Sequence, residues 1–272
     1  MSIVTYQITS LENIKFQTSA KTLDDITREL PQGFYSTFNT LDYGTRVLGL
    51  STHLQRLYHP ALELGLNPSV NEPSLRTRIS GLAKINLPKE SRIRLILTRN
   101  NGAIYIGIQP FEPLSKGIYE QGVKVVSSQI TRQSPRLKDT GFISSSIEQR
   151  RQIGTDVFEI LLTKRGKILE GMTSNFYALK GKTLLTARRG ILLGVTRRVI
   201  LRLARELGLF IEYRSPKLSE KFDETFLTSS SRGVVPIVSI DNKSVGQGRV
   251  GQLTKLISLT YSAFVLANAE RI

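Results

Sequence analysis

The run Gly33-Phe34-Tyr35-Ser36-Thr37-Phe38-Asn39-Thr40-Leu41 is rich in aromatic and threonine residues, which predicts a strand. Asp42-Tyr43-Gly44-Thr45 then reads as a turn. Residues 53–66 carry Leu54, Leu57, Ala61, Leu62 and Leu64 at helical spacing. Ser51 or Thr52 is expected to cap that helix, Pro60 to kink or break it, and Gly65 to end it. A second helix is predicted over 72–83. Two strand-like runs, 92–98 and 103–108, flank Asn100-Asn101-Gly102, a sequence suited to the positive φ angles of a tight hairpin. Residues 109–117 lose this periodicity and collect Pro110, Pro113 and Gly117, which marks a linker.

Strands resume at Val123-Lys124-Val125-Val126 and at residues 158–163, where Lys164-Arg165-Gly166-Lys167 turns the chain into Ile168-Leu169-Glu170. Residues 174–179 and 183–186 form another pair across Gly181. Helices are predicted over 144–153, 195–207 and 251–268. The elements describe an α+β protein of two lobes with mainly antiparallel sheets, about 1–115 and 116–272.

Composition narrows the function. The 272 residues include no Cys and only two histidines, His53 and His59. That excludes a disulfide framework, a thiolate metal site and a cysteine nucleophile, and leaves little for a histidine-based centre, so no metal is expected. No apolar run reaches the length of a membrane span, and the first residues lack a secretory pattern, so a cytoplasmic location is expected. The 38 Lys and Arg against 22 Asp and Glu give a formal net charge of +16. Such a charge suits a nucleic-acid binder, and equally an enzyme that concentrates anionic substrates. The basic residues are scattered in pairs such as Arg150-Arg151 and Arg197-Arg198, without the stripe that would favour nucleic acid.

Four segments can carry chemistry. In Thr186-Ala187-Arg188-Arg189-Gly190-Ile191-Leu192-Leu193-Gly194-Val195-Thr196-Arg197 a glycine-loosened loop feeds a helix, whose free N–H groups suit a phosphate. An ordinary capped helix fits the same residues. Thr228-Ser229-Ser230-Ser231-Arg232-Gly233 follows a strand and can line an anion nest or form a plain loop. A lysine in so basic a chain is usually a solvated surface charge, but Lys138 stands between a strand-like run and a helix, a common place for a functional side chain. Glu170, followed by Gly171-Met172-Thr173-Ser174, fits either a functional carboxylate or a bulge.

Taken in order, His53-Leu54-Gln55-Arg56-Leu57, Lys138, the segment 170–176, the segment 190–197 and Asp223-Glu224-Thr225-Phe226-Leu227-Thr228-Ser229-Ser230 resemble the class IV, or fold-type IV, pyridoxal-phosphate enzymes. That family contains branched-chain and D-amino-acid aminotransferases and aminodeoxychorismate lyases. The resemblance implies a smaller N-terminal α/β lobe, a larger cofactor-binding lobe with antiparallel strands, and a homodimer. It implies that Lys138 forms a Schiff base with pyridoxal 5'-phosphate and then shuttles a proton. Glu170 would pair with the pyridine nitrogen. Arg56, the Val195 backbone with Thr196, and Ser230 with Ser229 would hold the phosphate.

On the substrate side the resemblance points to Tyr35 and to Arg94, with Arg92 or Arg99 as neighbours. An arginine there can clamp an α-carboxylate or face outward, and strand alternation puts Arg92 and Arg94 on one face. Two departures stand out. Ser36 and Thr37 occupy the place where transaminases carry Glu, in the manner of the lyases, and Phe142 stands near the place of a cofactor-contacting Tyr. The expected activity is amino-group transfer between an amino acid and a 2-oxo acid. The alternatives are release of pyruvate and 4-aminobenzoate by a lyase, and a basic nucleic-acid-binding protein without catalysis.

Overall fold

A computed structural model describes residues 3–154 and 156–272, and the chain divides into two compact units. The first unit contains β1 (Val4–Ile8), β2 (Asn13–Phe16), α1 (Leu23–Glu29), β3 (Gly33–Leu41), β4 (Arg46–Val47), α2 (Leu50–Glu63), α3 (Glu72–Leu82), β5 (Ser91–Thr98) and β6 (Ile104–Pro110). The second opens with α4 (Lys116–Gln121) and β7 (Val123–Ser128). The chain then returns to the first unit for α5 (Gly141–Ser145) before continuing the second. There follow α6 (Ile147–Arg151), β8 (Glu159–Lys164), β9 (Lys167–Gly171), β10 (Asn175–Lys180), β11 (Thr183–Leu185), α7 (Val195–Glu206), β12 (Phe210–Glu212), β13 (Glu224–Ser229), β14 (Gly233–Ile240) and β15 (Lys243–Ser244). Last come α8 (Gln252–Asn268) and β16 (Glu270–Arg271).

A single cut near residue 115 does not describe this division. The first crossing lies at Glu112–Pro113, inside the predicted linker, but Leu137–Ser145 and Asn268–Ile272 also belong to the first unit. Hydrogen bonding explains the first return. Tyr35 N donates to Lys138 O at 2.9 Å, Thr140 N donates to Gly33 O at 2.9 Å, and Gly33 N donates to the Thr140 hydroxyl at 2.9 Å. A side chain at Gly33 would collide with the Leu97 carbonyl on β5, so glycine is needed where this strand starts.

In the first unit a seven-stranded sheet runs β16-β4-β3-β5-β6-β1-β2. One face, carrying Phe34, Phe38, Ile93, Leu95 and Leu97, packs on Leu50, Leu54, Leu57 and Ala61 of α2 and on Leu75 and Ile79 of α3. The helix α2 differs from its sequence reading at both ends. Gly49, in the left-handed region at φ 65°, is its N-cap in place of Ser51 or Thr52, and Pro60 lies inside it. Pro60 falls in the last turn, so little helix follows the residue that lacks an N–H. His53 is fully buried in this core, its Nδ1 2.7 Å from the Ser36 hydroxyl and its ring 5.0 Å from Phe38. Burial, followed by the charges of Arg56 and Lys138, holds His53 well below the usual imidazole range.

On the other face of the sheet Arg94 fastens α1. Its Nη1 donates to Leu23 O at 2.8 Å, Thr27 Oγ1 at 2.9 Å and Asp24 Oδ1 at 2.6 Å, while Nε donates to Thr37 Oγ1 at 2.9 Å. The helix α1 itself begins with a capping box between Thr22 and Asp25.

The second unit holds a nine-stranded sheet ordered β12-β11-β10-β13-β14-β7-β8-β9, with β15 paired to β14. It is antiparallel-rich, as expected, with three parallel pairings: β7 runs parallel to both β8 and β14, and β11 parallel to β12. Pro236 sits in β14 one residue before the ladder to β7 begins at Ile237, so its missing N–H interrupts no bond in that ladder. The predicted helix over 144–153 is split into α5 and α6 at Ser146, where the chain passes back between units.

Two outcomes test this packing. Replacing Arg94 with Met removes a buried guanidinium from Asp24, Leu23 O, Thr27 Oγ1 and Thr37 Oγ1, and should cost about 3 kcal/mol in urea unfolding. Because His53 titrates below its unfolded value of 6.5, the unfolded chain binds the extra proton. Stability should therefore be full above pH 6.5 and fall as pH drops below it. A His53→Gln variant should show a flatter profile through that window.

Candidate active site

Among the expected residues of the first unit, Lys138 and Tyr35 are brought together. Their backbones bond as described, and Lys138 Nζ lies 4.6 Å from the centre of the Tyr35 ring. Arg56 is one helical turn beyond His53 on α2, and the charges of Arg56 and Lys138 both act on that imidazole. The helix α2 and the return at Lys138 thus set the charges of an arginine and a lysine on one buried histidine, while the Tyr35 ring lies on the opposite face of β3 with Arg94.

Arg94 does not fit the expected role of a substrate clamp. It is 6% exposed, and its guanidinium is committed to α1 and to Thr37, with its Cζ 5.0 Å from the Tyr35 ring centre. Alternation does place it with Arg92 on one face, opposite Thr37 and Asn39 respectively. The helix α1, for which the strand pattern alone gave no warning, covers that face at Arg94. Arg99 pairs with Asp139 and lies 4.7 Å over the Phe34 ring. Ser36 and Thr37 are engaged internally as well, with His53 and Arg94.

In the second unit Glu170 is 1% exposed and fully engaged. Its Oε1 accepts from Arg132 Nε at 2.9 Å, and its Oε2 accepts from Leu192 N at 3.0 Å and Asn175 Nδ2 at 3.2 Å. Arg132 Nη2 also reaches Met172 O at 2.6 Å, and Asn175 Nδ2 reaches Leu192 O at 2.8 Å. The residue sits on β9 just past an extra residue, Leu169, that has no partner in the β8–β9 register. Bulges of this kind re-aim a side chain, so the two readings of Glu170, bulge and functional carboxylate, meet at one place. Arg132 was not singled out in the sequence because it lies in a stretch without periodicity.

The loop 186–194 leads from β11 to the start of α7. Gly194 is the N-cap and provides no side-chain cap, so the first N–H groups of α7 are open to an anion. A side chain at Gly194 would strike Asn175 Oδ1. Thr196 and Val195 stand at this helix start, with the Thr196 hydroxyl 3.5 Å from that of Tyr261, whose phenol burial pushes upward. Arg197 ties the loop down from behind, donating to Thr186 Oγ1 at 2.6 Å and Ala187 O at 2.8 Å. Asn175, at the start of β10, is opposite Thr228 of β13, so Ser229 and Ser230 lie at the same end of the sheet as Glu170 and the α7 start.

A second buried carboxylate stands beside these hydroxyls. Glu159, at the start of β8, accepts from Arg232 at 2.8 Å, Thr173 Oγ1 at 2.6 Å and Ser174 Oγ at 3.3 Å. Nothing in the local sequence marks Glu159, because its partners come from β9, β10 and β13 ends far along the chain. The end of this sheet therefore offers a compensated carboxylate, an uncapped helix start and a hydroxyl loop, a donor set suited to a ring nitrogen and a phosphate.

Comparison with known proteins agrees with that chemistry. Residues 33–240 match the family Amino-transferase class IV. The D-alanine aminotransferase of Bacillus licheniformis is 28% identical over 245 residues, covering 84% of this chain and 87% of that one. The aminodeoxychorismate lyase of Bacillus subtilis is 28% identical over 236 residues, covering 78% of this chain and 79% of that one. The crystal structure of a putative branched-chain amino acid aminotransferase from Thermotoga maritima has a TM-score of 0.81 and 26% identity, covering 97% and 96% of the two chains. The chain belongs to the class IV aminotransferases, a two-lobed α+β family of enzymes dependent on pyridoxal phosphate.

Proposed function

We propose that the protein transfers an amino group between an amino acid and a 2-oxo acid, with Lys138 as its catalytic residue. The observation that carries this reading is the pairing of two arrangements. Lys138 is pinned to β3 beside Tyr35, and Glu170 is a buried carboxylate that accepts from three donors, one of them in the loop before an uncapped helix. The residues fit pyridoxal phosphate because a carboxylate, an amine and anion donors are each present in the required chemical type.

Arg56, the Val195 N–H, Thr196, Ser229 and Ser230 would hold the phosphate, and Glu170 would hold a proton on the ring nitrogen. When bound, the cofactor supplies the electron sink for deprotonation at the substrate Cα. Lys138 would hold the cofactor through Nζ and would carry the proton at that nitrogen. Tyr35 would line the substrate side. A homodimer in the cytoplasm is part of this reading; among the described residues no helix is long and apolar enough to cross a membrane.

The alternative of a lyase rested on Ser36 and Thr37. Ser36 is fully buried against His53 and Thr37 accepts from Arg94, so neither hydroxyl by itself chooses between the two reactions. The family match over residues 33–240 speaks against a nucleic-acid-binding protein without catalysis.

Purified protein should bind pyridoxal phosphate with a visible absorbance, and Lys138→Ala should lose both that band and turnover. Glu170→Gln should retain the cofactor while lowering kcat by at least about tenfold; an unchanged rate would remove Glu170 from the mechanism. With a suitable amino donor, sustained turnover should require an added 2-oxo acid. Release of pyruvate from aminodeoxychorismate without any oxo acid would establish the lyase instead.

A further inference from the structure

Beyond the family residues, the loop that follows β13 is held by a side chain of its own. Arg232 donates from Nε to Ser229 Oγ at 3.2 Å, from Nη2 to Glu159 Oε2 at 2.8 Å, and from Nη2 also to Thr173 Oγ1. Glu159 is completely buried, accepts from Thr173 and Ser174 as well, and receives its own neighbour's N–H at Ile160. Tyr119 closes the arrangement by donating its hydroxyl to Arg232 O at 2.9 Å. The Arg232 guanidinium lies 5.2 Å over the Phe158 ring.

The direction of these bonds has a chemical consequence. A serine hydroxyl has one proton and two lone pairs. Arg232 Nε occupies a lone pair of Ser229, so the hydroxyl proton of Ser229 is turned away from Arg232 and is available to an acceptor. Glu159 in turn fixes the guanidinium, and Arg232 cancels a carboxylate that would otherwise repel an anion at the loop. We propose that Arg232, held by Glu159, is a positioning residue that presents Ser229 as a hydrogen-bond donor to the cofactor phosphate. This rests on the reading above, in which the hydroxyl loop receives that phosphate.

Titration of the apoprotein with pyridoxal phosphate and with pyridoxal, which lacks the phosphate, tests the assignment. Arg232→Met should weaken pyridoxal phosphate about tenfold or more and leave pyridoxal unchanged. Arg232→Lys should recover part of the loss. In a Glu159→Gln background, where no carboxylate charge is left to cancel, adding Arg232→Met to Ser229→Ala should weaken binding no further, since the two residues then act through one bond. Glu159→Gln should also weaken pyridoxal phosphate. Should Arg232→Met fail to fold with Glu159 left uncompensated, Glu159→Gln/Arg232→Met removes both charges and should show the same selective loss.

An Arg232→Met protein that keeps the wild-type preference for pyridoxal phosphate overturns the proposal, as does an equal loss for both ligands. Tighter binding in Glu159→Gln overturns it too, because Arg232 would then be a direct phosphate ligand released by its partner. If the wild-type protein itself binds the two ligands equally, the loop assignment fails first and the positioning role falls with it.

Discussion

A carboxylate taken out of water must be given donors in place of the solvent it loses, and that demand on Glu170 organises one end of the nine-stranded sheet. Arg132 is drawn from the segment after β7, Asn175 from the start of β10, and the Leu192 N–H from the loop before α7. Each donor fixes a different stretch of chain, so the loop 186–194 cannot shift without exposing a charge in the protein interior. The same loop delivers the open start of α7. A single desolvated group thereby fixes the loop that leads into α7 against the end of the sheet.

The first unit solves its own problem by pairing. Its sheet accepts a short return of the chain, in which Asp139 bridges Phe34 and Lys138 bonds Tyr35, so the lysine is carried on a strand edge and not on a free loop. Sites built on regular elements hold their geometry better than sites on loops, because the supporting bonds are many and redundant. Leu137 packs on the core on one side of the lysine and Ile143 on the other, which anchors both ends of the return.

Much of this was legible in the residues, for physical reasons. The Asn-Gly hairpin between β5 and β6 has Gly102 at φ 70°, and α7 and α8 fall within a residue or two of their predicted bounds because their apolar periodicity is long and uninterrupted. The family pattern was readable because it spans separate segments in a fixed order. The failures are also instructive. Arg94 looked available because strand alternation says which face a residue occupies but not what covers that face, and α1 covers it. The cap of α2 was misplaced because a glycine with positive φ replaced the expected hydroxyl. Arg132, Glu159 and Arg232 were invisible because their meaning lies wholly in partners brought together by the sheet, as with any charge neutralised across long sequence separation.

The pairing of β16 with β4 concerns synthesis as much as architecture. The outer edge of the first sheet is covered by residues that follow the whole of the second unit in the chain, so on the ribosome it stays open while some 220 residues emerge (270 − 47 = 223 from Val47 to Glu270). An open edge is a template for unwanted strand pairing. Here β4 is only two residues long and begins with a charged arginine, features that keep a nascent edge poorly adhesive until its late partner arrives.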